Sequence, residues 1–199
     1  SVKIYKDNTA KLEALKAGEF DLMRFFSARD WARLARGKRF DSGELVKAEF
    51  AHQLPTGFQS YVFNTRNPTL QDVRVRRAMA LAMDFEWMNR QLFFDAYSRV
   101  QGLFGSTACQ ASGPNVGPPS AAELALLEPW RATLPAAVFG PGYQAPRTDG
   151  SHSLRGNLRE AQTLLKEAGW RLGADGILHN GKGQKLQLEY LESNEAGGR

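Results

Sequence analysis

The sequence predicts an α/β fold, a mixed sheet with flanking helices. Three observations carry that prediction. Short runs alternate apolar with polar residues and are rich in β-branched and aromatic types, as at Val2–Tyr5, Gln59–Phe63 and Lys185–Leu191. Longer stretches place apolar residues at helical spacing, around Ala78, Leu81 and Ala82 and again from Leu158 to Ala168. Strand, helix and strand patterns also follow one another between Val2 and Phe26, the succession of a βαβ unit.

The elements follow in order. Asn8 or Thr9 is placed to cap a helix running to Ala17, with Leu12 and Leu15 inward and Gly18 as its stop. Phe20–Phe26 returns to strand-like content. Ser27 and Asp30 have capping-box spacing for a helix over Ala28–Arg36, closed by Gly37. Leu45–Phe50 and Gln59–Phe63 are further strands. Asn64 to Pro68 makes a turn, since a residue before proline avoids the helical region. Thr69 or Asp72 then caps a helix whose apolar side is Ala78, Leu81 and Ala82. Asp84 starts another, with Phe85, Met88, Leu92 and Phe93 toward a core. Tyr97 to Pro119 is a long Gly-, Ser- and Pro-rich loop, and loops of that length commonly bind something. Ser120 and Glu123 form a capping box for Ala121–Glu128. After the loop from Pro135 to Gly156, Asn157 and Glu160 cap a helix over Leu158–Ala168, which ends at Gly169. Asp175-Gly176 and Asn180-Gly181 are turn signals, so Ile177–His179 is expected to pair with Lys185–Leu191.

The chain has 199 residues, 42% of them hydrophobic and 24% charged, enough for one large or two small cores. No apolar run approaches the ~20 residues that span a bilayer. The net charge of +5 permits an anionic partner without requiring one. Arg24, Arg29, Arg33, Arg36, Lys38 and Arg39 face one acidic residue, Asp30, within their stretch, and Arg74, Arg76 and Arg77 form a second basic group. Either could lie on phosphates, so a basic nucleic-acid-binding module using Arg24–Arg39 and Arg74–Arg77 is the rival reading. The simpler one is a solvated face with Trp31 and Leu34 turned inward. His52, His152 and His179 have no ligand spacing. Cys109, the only cysteine, has no base near it in sequence to generate a thiolate. Neither a metal, a cofactor nor a catalytic residue is expected.

The stretch Leu54–Phe94 carries a resemblance. YVFNT, the proline turn, DVRVRRAMALAMD and an aromatic-rich helix resemble the signature region of bacterial extracellular solute-binding proteins of family 5, the oligopeptide, dipeptide and nickel receptors of ABC importers. LPTGFQ, MDFEWMNRQLFF and SAAELALLEPW are similar to the Yej-type branch, associated with peptides and microcin C. LREAQTLLKEAGW, the two glycine turns and LQLEYL form a second matching block. The resemblance implies a periplasmic-binding-protein-like fold of type II and a chain that is an internal fragment. Residues 1–57 would be part of lobe I and 58–199 most of lobe II. It further implies a periplasmic protein, with its signal peptide upstream. That protein would bind a peptide or peptide-like ligand between the lobes and deliver it to an ABC permease in the inner membrane, with no chemical step and no nucleic acid.

The same resemblance supplies the candidate site. Ser60 and Val62 take alternate positions on the lobe-crossing strand that faces ligand in oligopeptide receptors. Tyr97, Arg99, Phe104 and Ser106 fall in the cleft-lining segment, where an arginine suits a peptide carboxylate and aromatics suit its body. The strand matching LEYLESNEA lacks, at Leu191 and Ala196, the Asn and His that contact the ligand's carboxyl end in those receptors. The aspartate that holds the peptide ammonium in them comes from a later segment, which this chain does not contain.

Overall fold

Helices dominate the computed structural model, which describes residues 3–52, 59–100, 118–141, 143–148 and 153–191. They are α1 (Asn8–Lys16), one-turn α2 (Lys38–Asp41) and α3 (Pro68–Gln71), α4 (Val73–Leu81), α5 (Phe85–Phe93), α6 (Ala121–Leu127) and α7 (Arg155–Glu167). Two short strands, β1 (Arg171–Leu172) and β2 (Leu178–His179), pair antiparallel with Arg171 opposite His179. Two compact units divide the chain. One takes its described residues from Ser1–Ala51, Met88–Tyr97 and Gln187–Arg199, the other from His52–Trp87 and Ser98–Leu186.

In the first unit Leu12 and Leu15 of α1 pack with Leu45, and Phe20, Met23, Phe25, Leu34 and Phe40 close around them. The N-cap of α1 is Asp7, not Asn8 or Thr9: its Oδ1 accepts from Ala10 N at 2.8 Å. Asp7 stands at the last extended residue, where a cap oxygen can reach the free N–H groups of the first turn. Gly18, at φ +82°, ends the helix as expected. The helix expected over Ala28–Arg36 is wound as a π-helical turn from Asp30 to Leu34, begun where Ser27 Oγ accepts from Asp30 N at 3.2 Å. In their described residues, the segments expected as strands at Val2–Tyr5, Phe20–Phe26 and Leu45–Phe50 form no strand and belong to no ladder. Alternation suits a residue run to a sheet, while a strand also needs a neighbour to receive its N–H and C=O groups. Ile4, Leu22, Val46 and Phe50 consequently face solvent.

The second unit is built on α4 against α7. Asn67 caps α3 and Asp72 caps α4, Asp72 Oδ1 accepting from Arg74 N at 2.8 Å. The buried face of α4 is Val75, Ala78 and Leu81, whereas Val73 is 53% exposed and Ala82 also faces out. Ala161 of α7 meets Ala78 and Leu81, and Trp170 joins Leu70 and Val75. Small residues at the crossing let the two helices approach closely. Helix α7 begins at Arg155, three residues before the expected start, and no side chain caps it; Asn157 lies inside it and donates to Arg147 O at 3.3 Å. Its C-terminus is closed by Gly169 N to Lys166 O at 3.0 Å and Trp170 N to Leu165 O at 2.8 Å, with Gly169 at φ +87°. The capping box at Ser120 and Glu123 is present at α6.

The expected mixed sheet is reduced, among the described residues, to the β1–β2 ladder and one bridge from His179 to Lys185. Ile177–His179 therefore pairs chiefly backward, with the segment after α7, and touches the predicted strand Lys185–Leu191 only at its start. Gln59–Phe63 forms no strand and has no ladder partner among the described residues. Asp84 starts α5, accepting from Trp87 N at 3.1 Å, and Thr148 Oγ1 donates to Asp84 Oδ1 at 2.7 Å. That contact ties the loop before α7 to the start of α5. No residue of α5 is fully buried, and Leu92, expected inward, is 51% exposed.

Candidate functional site

Of the six expected ligand residues, four are described. Phe104 and Ser106 lie outside the described residues, as does Cys109. Ser60 and Val62 are exposed, Val62 at 87%. Arg99 belongs to the second unit. Its guanidinium lies 5.3 Å from the centroid of Phe85, a cation–π arrangement that holds the group flat. Its Nη1 is enclosed and has no hydrogen-bond partner among the described residues. An enclosed cationic N–H without an acceptor is costly, and any acceptor oxygen brought to it would satisfy it.

Tyr97 belongs to the first unit. Asn89, at the middle of α5, clamps its backbone: Nδ2 donates to Tyr97 O at 2.8 Å and Oδ1 accepts from Tyr97 N at 3.1 Å. The ring stands edge-on to Phe93, centroids 5.1 Å apart. It lines a groove of about 900 Å³ whose other walls come from the segment leading into α1 and from the turn at Ser27–Asp30. That volume lies within the range of small-molecule sites. Sequence reading named Tyr97 but not these walls, because they join segments far apart in the chain.

Five of the nine basic residues in the two groups have partners within the protein. Arg39 donates to Leu15 O at 2.7 Å and pairs with Glu44 at 2.7 Å, which holds the Glu44 carboxyl below its ordinary range. Arg24 and Arg33 lie over the rings of Phe26 and Phe94. Arg76 donates to Leu70 O and Gln71 O, and Arg74 grips Asp72. Arg29, Arg36, Lys38 and Arg77 are exposed. Among the described residues no three His, Cys, Asp or Glu side chains gather in a metal-ligating group, and no helix is long and apolar enough to cross a membrane.

Residues 1–198 match the family described as bacterial extracellular solute-binding proteins, family 5, middle. The chain belongs to that family. Family 5 relatives extend the comparison. An uncharacterized protein YejA of Escherichia coli is 40% identical over 187 residues, covering 94% of this chain and 30% of its own length. A peptidoglycan-binding protein YepA of Agrobacterium fabrum is 32% identical over 203 residues, covering 98% of this chain and 32% of its own. A probable peptide-binding protein YejA of the same organism is 29% identical over 189 residues, covering 94% and 30%. The chain thus spans about a third of the length of these relatives.

Proposed function

We propose that this chain is part of the substrate-binding component of an ABC importer, a periplasmic receptor that holds a peptide or peptide-like solute between two lobes and presents it to a membrane permease. The observation that carries the reading is the family 5 match along residues 1–198, and relatives named for peptide and peptidoglycan binding give the solute class. Residues 1–57 would contribute to lobe I and 58–199 to lobe II, with Ser60, Val62, Tyr97, Arg99, Phe104 and Ser106 on the cleft side. No bond is made or broken. Closure removes the ligand's polar groups from water, and selectivity lies in the hydrogen bonds and charge pairs of the closed state.

Calorimetry of the full-length protein and of this chain against one peptide library tests the proposal. A receptor that divides its contacts between two lobes loses most of its affinity when one wall is missing. One charge-assisted pair alone is worth about 1.5–3 kcal/mol. The full-length protein is expected to bind at least about a hundredfold more tightly than the chain, which stays near the millimolar range. Equal micromolar affinity would place the whole site within these residues and overturn the two-lobe account.

A further inference from the structure

We infer that the groove beside Tyr97 is the place where the solute's carboxylate is held, by Lys6, Lys11 and Arg29. The inference rests on the peptide-receptor reading above and names a determinant of specificity that it leaves open. Two stretches distant in sequence wall the groove: Lys3–Thr9 leads into and begins α1, and Ser27–Asp30 begins the helical turn that follows Phe20–Phe26.

Charge in the groove is unevenly committed. Lys3 is paired with Glu19 at 3.2 Å, and Asp7 is occupied in capping α1. Lys6, Lys11 and Arg29 line the groove from different positions, and none has a carboxylate partner among the described residues. Asp7 and Asp30 also line it, two carboxylates against the three cations that have no ion pair among the described residues. Phe93 and the clamped Tyr97 supply an apolar wall whose orientation is set before any ligand arrives. Cations converging on a concave surface with a rigid aromatic side fit an anionic group on a partly apolar body, and a peptide carboxylate is that group.

A carboxylate can come from the peptide's C-terminus or from an acidic side chain, and two pairs of probes separate these. The full-length protein is titrated with trialanine and its C-terminal amide, and with Ala-Glu-Ala amide and Ala-Gln-Ala amide. At least one acid is expected to bind tenfold or more tightly than its neutral partner. In the variant carrying Lys6→Gln, Lys11→Gln and Arg29→Gln that ratio should fall below about twofold, while the neutral peptides keep their affinity. The charge-conserving variant Lys6→Arg, Lys11→Arg and Arg29→Lys should retain the preference, which separates lost charge from lost fold. Acids and neutral partners bound equally would overturn the inference and leave the peptide reading standing. A ratio unchanged in the folded Gln variant would do the same. Failure of all four peptides to bind would overturn both.

Discussion

Arg74 joins two helix ends through one guanidinium: its Nη1 donates to the carbonyl oxygen of Glu167 at 2.8 Å, 93 residues further along. The same group pairs with Asp72, Nη2 to Oδ2 at 2.6 Å, so the N-cap of α4 is fastened to the last turn of α7. A cation is favourable near a helix C-terminus, where carbonyls are left without intrahelical donors.

This linkage makes stability depend on pH in a definite direction. Hydrogen bonds from the Arg74 side chain hold the Asp72 carboxyl below its ordinary range. A depressed folded-state pKa contributes stability that is present above the unfolded value and lost as pH falls through the folded one. Asp72→Asn keeps a capping oxygen but removes the charge. Wild type should melt above this variant at pH 7, and the gap should close below about pH 4. Thermal melts across pH 2–7 read it; a gap of constant size would show that charge is not its source. Asp72→Ala also loses the cap, for about 1 kcal/mol more.

The buried face of α4 gives a second expectation. Val75 is fully enclosed against Leu70 and Trp170, while Val73 stands half outside. Val75→Ala removes two buried carbons at about 0.8 kcal/mol each and leaves a cavity, for a cost of about 2–3 kcal/mol. Val73→Ala should stay within about 0.5 kcal/mol. Urea midpoints of the two variants, compared at equal slope, decide between this face and one that includes Val73.

Gly169 tests the end of α7. Its φ of +87° is reached at little cost by glycine alone, and a Cβ there would meet nothing within 4 Å. Gly169→Ala should therefore cost about 1–2 kcal/mol from backbone strain alone. A neutral result in the same urea titration would mean that the helix can end in another conformation.

The engaged arginines give a fourth expectation. With Arg24, Arg33, Arg39, Arg74 and Arg76 held by rings, carbonyls and carboxylates, phosphate attraction is left to scattered exposed cations. Duplex DNA should bind weakly at 50 mM salt and be released at 200 mM, as followed by fluorescence anisotropy. Tight, sequence-selective binding at the higher salt would restore the nucleic-acid reading.

Local signals made the helices legible. Leu12 and Leu15, Ser120 with Glu123, and Ala161 with Leu164 and Leu165 stand at helical spacings, so α1, α6 and α7 could be placed from neighbours in sequence. Starts moved where a cap competed with its neighbour, as Asp7 did with Asn8, or where the helix began without a side-chain cap, as at Arg155. Strand patterns at Phe20–Phe26 and Gln59–Phe63 carried no such guarantee, since the partner that completes a ladder lies elsewhere in the chain. The candidate site divides in the same way. Tyr97 was found through family resemblance, but its clamp by Asn89, the stacking of Arg99 on Phe85 and the meeting of Lys6 with Arg29 in one groove are tertiary facts.

The segments of the first unit that join no ladder bear on how the isolated chain behaves in a tube. Ile4 and Phe50 are 93% and 84% exposed on backbone that belongs to no ladder. Unpaired edges flanked by large apolar side chains are templates for pairing with another molecule. Purified alone at high concentration, the chain should form soluble oligomers and then precipitate, with light scattering that rises with concentration and falls when Ile4 and Phe50 are replaced by lysine. Handling it as a dilute or fused preparation is therefore a condition for every titration of the chain on its own.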